Sequence, residues 1–199
     1  MLRIKFSIFQ VFLALIITNV ILLSLGIFFY PEKFLFWQYP FSYIGALKSV
    51  NGLNNFLSSI IYSLNMIINA FLILFLSFIY RYQKIFLLSK IMLLSSAGFL
   101  ISAFCPDDTK HELHMIGSAL AVASLWLMAN YYFFINKDKL KSKGIYLLQG
   151  LFHFSFIIYA LTVFLDLNPI DGLWQKISFF ILGFVLLYFS YHSQENLRS

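Results

Sequence analysis

Apolar residues run through this chain in six long blocks, separated by short polar or proline-containing stretches. A helix needs roughly 20 apolar residues to cross the hydrocarbon core of a bilayer, and the blocks reach about that length. The pattern predicts membrane-spanning helices at about residues 6–30, 56–80, 85–104, 112–134, 145–165 and 173–191. We therefore expect an all-α integral membrane protein, with six transmembrane helices in one bundle and a single domain over residues 1–199.

The composition agrees with this pattern. Hydrophobic residues make up 61% of the chain and charged residues 11%, whereas a soluble domain carries about 25% charged residues. The short alternating segments of a transmembrane β-barrel are absent. The first apolar block is too long for a signal peptide and is not followed by a small-residue cleavage site, so we expect it to remain as a helix.

Basic residues predict the orientation of the bundle. If the N-terminus is inside, the inner segments hold ten Lys and Arg residues and the outer segments hold four. Because Lys and Arg mark cytoplasmic loops, we expect both termini in the cytoplasm and the protein in the cell membrane, which is the cytoplasmic membrane if the source is bacterial. The net charge of +6 then reflects these loops, and we expect no nucleic-acid partner.

The longest connection between spans covers residues 31–55. Pro31 and Pro40 prevent a continuous helix there, and several aromatic residues favour the headgroup region of the membrane. Asn51 and Gly52 predict a turn. The segment is expected either to lie along the interface or to dip into the bundle.

A polar stretch from Cys105 to His114 follows the third span. It holds three of the eight acidic residues and two of the four histidines. Small residues on both flanking spans predict a close helix hairpin, with this stretch as its turn. Cys105 is expected to be a buried small residue rather than a nucleophile.

Two functions are open for the charged residues of this turn. Asp107 or Asp108 could join His114 as an acid–base pair or as metal ligands, while one aspartate could instead cap the following helix. His111 and His114 are the residues that would hold a metal, but zinc would need a third ligand from elsewhere. No cofactor is expected.

Polar residues inside the predicted spans have structural and functional interpretations. Asn65 and Asn69 are four residues apart and are expected to form hydrogen bonds between helices. His153 lies near the middle of the fifth span, where a neutral histidine bonded to a neighbouring helix is the favoured interpretation. Lys176 could pair with Asp107, Asp108 or Asp171, or receive a lipid phosphate.

Three short motifs resemble a family of six-helix membrane proteins catalogued as domain of unknown function 998, related to the Frag/DRAM/Sfk group. The first is Phe-Cys-Pro-Asp-Asp at residues 104–108, followed by His114. The second is Pro-Phe-Ser-Tyr-Ile-Gly-Ala at residues 40–46, and the third is Gly-Leu-Trp-Gln-Lys at residues 172–176. The resemblance spans most of the chain.

This resemblance implies a set of site residues: Ser42, Gly45, Asp107, His114, Gln175 and Lys176. Cys105 stands where a phenylalanine usually precedes the proline, so the matching aspartate is either Asp107 or Asp108. The suggested relatives handle membrane lipids, which makes lipid the implied ligand.

Three functions follow as expectations. The first is binding or handling of a membrane lipid at the outer leaflet. The second is a lipid-directed hydrolase or acyltransferase, with His114 as base and Ser42 as a possible nucleophile. The third is a small transporter, for which buried polar residues are few. Membrane lipids are the expected partners, and a homo-oligomer is possible.

Overall fold

The computed structural model describes residues 7–136, 143–165 and 170–195. This part of the chain is helical, apart from connections and an isolated β-bridge between Lys48 and Asn54. The helices are α1 (Ile8–Phe28), α2 (Ser42–Gly45), α3 (Phe56–Tyr82), α4 (Phe86–Phe104), α5 (His111–Asn136), α6 (Lys143–Phe164) and α7 (Asp171–Glu195).

Six helices of the described segments are long and apolar enough to cross a membrane, and only α2 is short. This confirms the six predicted spans, whose ends differ from those of the helices by at most four residues. The chain is therefore a multipass membrane protein. Several residues of the charge pattern lie outside the described residues, namely Arg3, Lys5, Lys137, Lys139, Lys141, Asp166 and Arg198.

The predicted close hairpin is formed by α4 and α5. Gly98 lies directly against the backbone of α5, where an added Cβ would meet Ala121 and Gly117. The Ser95 hydroxyl donates to the carbonyl of Ala121 at 2.9 Å, which is the hydroxyl bonding that small-residue faces allow. The prediction of a tight hairpin is confirmed.

An amide cluster joins α1 to α3 within the membrane. Asn65 and Asn69 each donate to the side-chain oxygen of Asn19, at 2.9 and 3.0 Å. Asn19 donates back to Asn69 at 3.1 Å. The predicted interhelical role of Asn65 and Asn69 is therefore confirmed, and Asn19 is the partner that the sequence pattern had not identified.

Most of the apolar core lies in one half of the bundle. It is formed by the first half of α1, the second half of α3, the start of α4 and the C-terminal halves of α5 and α7, with Phe152 from α6. The opposite end carries the connection between α1 and α3, residues 29–55, here called the first loop. A smaller cluster beneath it contains Ile44, Tyr62, Met66 and Ala103. The polar candidate residues gather at this first-loop end.

Candidate functional site

The first loop dips into the end of the bundle. Ile44 of α2 is fully buried, and an added Cβ at Gly45 would overlap the ring of Tyr62. Gly45 is therefore the residue type that lets α2 lie directly on α3. Of the two predicted positions for this segment, dipping into the bundle is confirmed.

Polar side chains at the junction of the first loop and α3 hold the backbone of the first loop. The amide of Asn55 donates to the carbonyls of Tyr43, Ile44 and Ala46, the nearest at 2.8 Å. The Ser59 hydroxyl donates to the carbonyl of Gly45 at 2.9 Å. These bonds satisfy carbonyl groups that the short helix α2 leaves without helical partners. Asn55 and Ser59 were missed in the sequence, because a backbone partner has no sequence signal.

Asp108 binds the first loop from the α4–α5 turn. Its two carboxylate oxygens accept hydrogen bonds from the backbone amides of Leu47 and Lys48, both at 3.0 Å. Hydrogen bonds to a charged carboxylate are stronger than neutral ones. Asp108 thus binds backbone amides of the first loop. Capping of the following helix had been one of its predicted roles.

Gln175 and Lys176 bind the first loop from α7. The side-chain oxygen of Gln175 accepts from the amide of Phe41 at 2.7 Å, and its nitrogen donates to the Tyr159 hydroxyl at 3.1 Å. The Lys176 ammonium donates to the carbonyls of Tyr39 and Gly172, at 2.6 and 3.0 Å. The sequence-predicted pair of residues therefore contacts the sequence-predicted loop.

Aromatic rings complete the surroundings of the Lys176 ammonium. The Nζ atom lies 5.0 Å from the ring centre of Phe36 and 4.7 Å from that of Phe41, within the range of a cation–π contact. The side chain is buried. Carbonyls and rings contact this charge directly, and Asp171, one of the aspartates suggested as its partner, acts on it electrostatically.

An open groove lies between the first loop and the α4–α5 turn. Its volume is about 420 Å³, within the usual range for a small-molecule site. The groove is lined by Tyr30, Tyr43, Ala46, Lys48, Ser49, Val50, Asp107, Asp108 and His111. Its polar side-chain groups are two carboxylates, two phenols, the Ser49 hydroxyl, an ammonium and an imidazole, so hydrogen-bond acceptors are well represented.

Asp107 and the two histidines have different surroundings. Oδ1 of Asp107 lies at hydrogen-bonding distance, 2.7 Å, from Nδ1 of His111. The His111 side chain is 69% exposed. His114 is 1% exposed, and its Nδ1 lies 2.7 Å from the carbonyl oxygen of Cys105. His114 is therefore not hydrogen-bonded to Asp107 or Asp108, contrary to the expected acid–base pair.

The described residues do not assemble a metal centre. Among residues 7–136, 143–165 and 170–195, no group of three metal-ligating side chains comes together. His111 and His114 are separated by burial, one at the surface and one inside. Ser42, at the start of α2, is partly buried. It makes no hydrogen bond with His114. The Nδ1 atom of His114 is bonded to the carbonyl of Cys105 instead. Cys105 is buried and free, as expected.

Glu32 and Tyr30 hold the turn of the first loop that borders the groove. Burial acts to raise the pKa of Glu32, but hydrogen bonds from Ser49 and Asn51 outweigh it, so the pKa lies below its usual value. Burial raises the pKa of Tyr30 to about 12, and its hydroxyl accepts from the amide of Val50 at 3.2 Å. At neutral pH Tyr30 on the wall of the groove is therefore a neutral phenol, and Glu32 in the neighbouring turn is a carboxylate.

His153 lies apart from this end of the molecule. Its ring is partly buried and meets Trp126 of α5 edge-on, with ring centres 5.6 Å apart. Within the described chain it makes no hydrogen bond. Its contact with the neighbouring helix α5 is therefore aromatic, where a hydrogen bond had been predicted. The side chain of His192 lies outside the description.

No family model, curated protein or solved structure matches this chain. The resemblance to the six-helix family therefore stays a prediction, carried by the three short motifs. All three motifs nevertheless converge on the first-loop end, through Asp108, Gln175 and the loop itself.

Proposed function

We propose that this protein binds a membrane lipid at the first-loop end, with the lipid headgroup in the groove. The observation that carries this proposal is the groove itself, a cavity of about 420 Å³ with carboxylate, phenol and ammonium groups on its walls. Val50 on its wall and the nearby Leu53 are exposed apolar side chains. A pocket that combines polar groups with apolar walls suits an amphiphile better than a fully polar solute.

The chemistry of the groove favours a headgroup that donates hydrogen bonds. Asp107 and the two phenols present acceptors, whereas both oxygens of Asp108 already accept from the first loop. Among the lining residues, Lys48 and His111 offer charged or chargeable nitrogen. An ammonium or hydroxyl group would pair with Asp107, while Lys48 at the rim would pair with the lipid phosphate.

Binding is favoured over hydrolysis by the geometry of the candidate residues. An acyl-transfer site needs a nucleophile within hydrogen-bond reach of its base. Ser42 and His114 are not bonded to each other, and Asp108, Gln175 and Lys176 are engaged with the backbone of the first loop. A transporter finds less support, since the amides of α3 are bonded to Asn19.

Native mass spectrometry with defined lipids tests this proposal. The intact protein should retain phosphatidylethanolamine or phosphatidylglycerol, and Asp107→Asn should weaken retention several-fold because it removes a carboxylate from the groove. Lys90→Ala is the matched control, since Lys90 is exposed at the start of α4, far along that helix from the groove. Equal retention by all three proteins would overturn the proposal.

We further infer that the first-loop end faces the outside of the cell membrane. Arg81 in the last turn of α3 and Lys84 just after it lie at the opposite end, where basic residues favour the cytoplasm. A cysteine introduced as Lys48→Cys should react with an impermeant maleimide in intact cells, whereas Gln83→Cys should react only after permeabilisation. The reverse pattern would place the groove in the cytoplasm.

A further inference from the structure

Asp107 is the groove carboxylate with an uncommitted oxygen. Its side chain is 12% exposed, and its Oδ1 atom lies 2.7 Å from Nδ1 of His111. Within the described residues, its Oδ2 atom makes no hydrogen bond. Asp108, the other carboxylate on the wall, already accepts from the amides of Leu47 and Lys48 with both oxygens. A mostly buried carboxylate oxygen of this kind favours a bound group that donates a hydrogen bond.

The charge of the groove favours a cation over a neutral donor. With the histidine counted as neutral, the lining residues bring two carboxylates, Asp107 and Asp108, against one ammonium, Lys48. Glu32, in the neighbouring turn, adds a carboxylate that acts electrostatically on Tyr30. A charge-assisted hydrogen bond from a cation is stronger than one from a hydroxyl. An anionic headgroup would meet an excess of negative charge.

The aromatic residues of the groove disfavour a quaternary ammonium. Such a cation has no N–H group and is recognised in proteins by the faces of several aromatic rings. Tyr30 is 6% exposed, and its ring packs edge-on with that of Phe34, with ring centres 5.2 Å apart. The ring of Tyr43 packs with that of Tyr39 at 5.5 Å. Most of the Tyr30 ring is therefore covered, and the groove has little ring face to offer a choline group.

We propose that the groove selects a primary ammonium, as in phosphatidylethanolamine, and binds it through Oδ2 of Asp107. The proposal rests on the lipid-binding function proposed above and narrows its ligands to one class of headgroup. Lys48, which is exposed, is the groove cation available to the phosphate of the same headgroup. Choline has lost every N–H hydrogen, and the glycerol headgroup lacks the positive charge.

Binding of a methylation series to the full-length protein tests this selection. The series runs from phosphatidylethanolamine through its N-methyl and N,N-dimethyl forms to phosphatidylcholine, all with the same short acyl chains. Its members keep the same charge and lose an N–H hydrogen at each step, and phosphatidylglycerol is measured beside them. Dissociation constants are determined for the wild type, for Asp107→Asn and for Lys90→Ala, an exposed control.

In the wild type, phosphatidylcholine should bind about tenfold more weakly than phosphatidylethanolamine, the loss of roughly one hydrogen bond to a charged group. The largest step should come at the last methylation, and phosphatidylglycerol should also bind more weakly than phosphatidylethanolamine. Asp107→Asn should bring the amine lipids to nearly equal affinity, whereas Lys90→Ala should keep the wild-type order. Because steric exclusion of the methyl groups would persist in Asp107→Asn, this variant separates hydrogen bonding from size.

Equal binding of all the amine lipids to the wild type would overturn the proposal and leave lipid binding intact. The proposal also fails if phosphatidylglycerol binds as tightly as phosphatidylethanolamine, or if the amine preference survives in a folded Asp107→Asn, judged by its melting temperature. If none of the lipids binds, the proposed function fails together with this inference. Because the order of the lipids is read in the unaltered protein, the test stands even if Asp107→Asn does not fold.

Discussion

The ammonium of Lys176 is stable inside the bundle because several weak partners replace water. Two carbonyl oxygens accept its hydrogen bonds, and two aromatic rings present their faces to it. A hydrogen bond involving a charged group contributes about 1.5–3 kcal/mol, and the desolvation of the charge offsets part of that gain. The net effect is to tie Tyr39 of the first loop to α7.

Replacing this lysine should loosen the first loop. Lys176→Met keeps much of the apolar stem and removes both hydrogen bonds, so we expect a loss of about 1–3 kcal/mol in the free energy of unfolding. Thermal unfolding in detergent measures it, with the exposed Lys90→Met as the control. A variant as stable as the wild type would show that the buried charge contributes nothing to the free energy of unfolding.

Gly45 also has a specific structural role, because α2 can pack against Tyr62 only without a side chain at this position. Gly45→Ala would place a Cβ against the Tyr62 ring, and such overpacking costs about 1–3 kcal/mol. Gly150→Ala is the matched control, because an added Cβ there meets nothing within 4 Å. We expect a lower melting temperature for the first variant and an unchanged or higher one for the second.

Protonation of Glu32 should weaken the turn at Asn51. Hydrogen bonds from Ser49 and Asn51 lower the pKa of Glu32, so this stabilisation is present above the usual glutamate pKa and is lost as pH falls through the lowered folded-state value. Hydrogen exchange of the 48–55 segment, corrected for intrinsic rates, should increase toward acid. Glu32→Gln should remove that part of the pH dependence, and identical profiles would contradict the assignment.

The residues that could be predicted from the sequence were the polar ones, because polarity in an apolar chain is conspicuous. Asp108, Gln175 and Lys176 were identified as a group with the first loop, and the structure brings them to it. Their partners are backbone amides and carbonyls, which every residue carries. For that reason the sequence suggested an acid–base pair where the molecule has backbone contacts, while Asp171, one suggested charge partner of Lys176, does act on it electrostatically.

At the scale of the element, the first loop depends on contacts from both sides. Asp108 of the α4–α5 turn and Lys176 of α7 hold it from different sides, and Ser59 holds it to α3. The six long helices were predictable because each needs only length and hydrophobicity. The path of a 27-residue connection between α1 and α3 was not, since it is set by tertiary hydrogen bonds.

Removing the Asp108 carboxylate should release one side of this loop. Asp108→Ala leaves the amides of Leu47 and Lys48 without their acceptor, and we expect trypsin to cleave after Lys48 several-fold faster. Asp107→Ala is the control, because Asp107 binds His111 instead of the loop. Equal cleavage rates in the two variants would contradict the proposed clamp.

At the scale of the whole molecule, the two halves of the bundle are built differently. One half is an apolar core of interlocking side chains, including Ile73, Met128 and Val185, all fully buried. The other half joins the first loop to three helices through polar contacts and leaves an open groove beside it. The groove could not be predicted from the sequence, because its walls come from the first loop and from Asp107, Asp108 and His111, which are distant along the chain.

The central claim is that this groove binds a lipid headgroup, and photo-crosslinking in bilayers tests it most directly. A phosphatidylethanolamine with a photoreactive group on its headgroup should label peptides that contain Tyr43, Lys48 or residues 105–111, and Asp107→Asn should reduce the labelling several-fold. Unlabelled phosphatidylethanolamine should compete. Labelling spread evenly over the exposed ends of the helices, and unchanged in Asp107→Asn, would contradict the account.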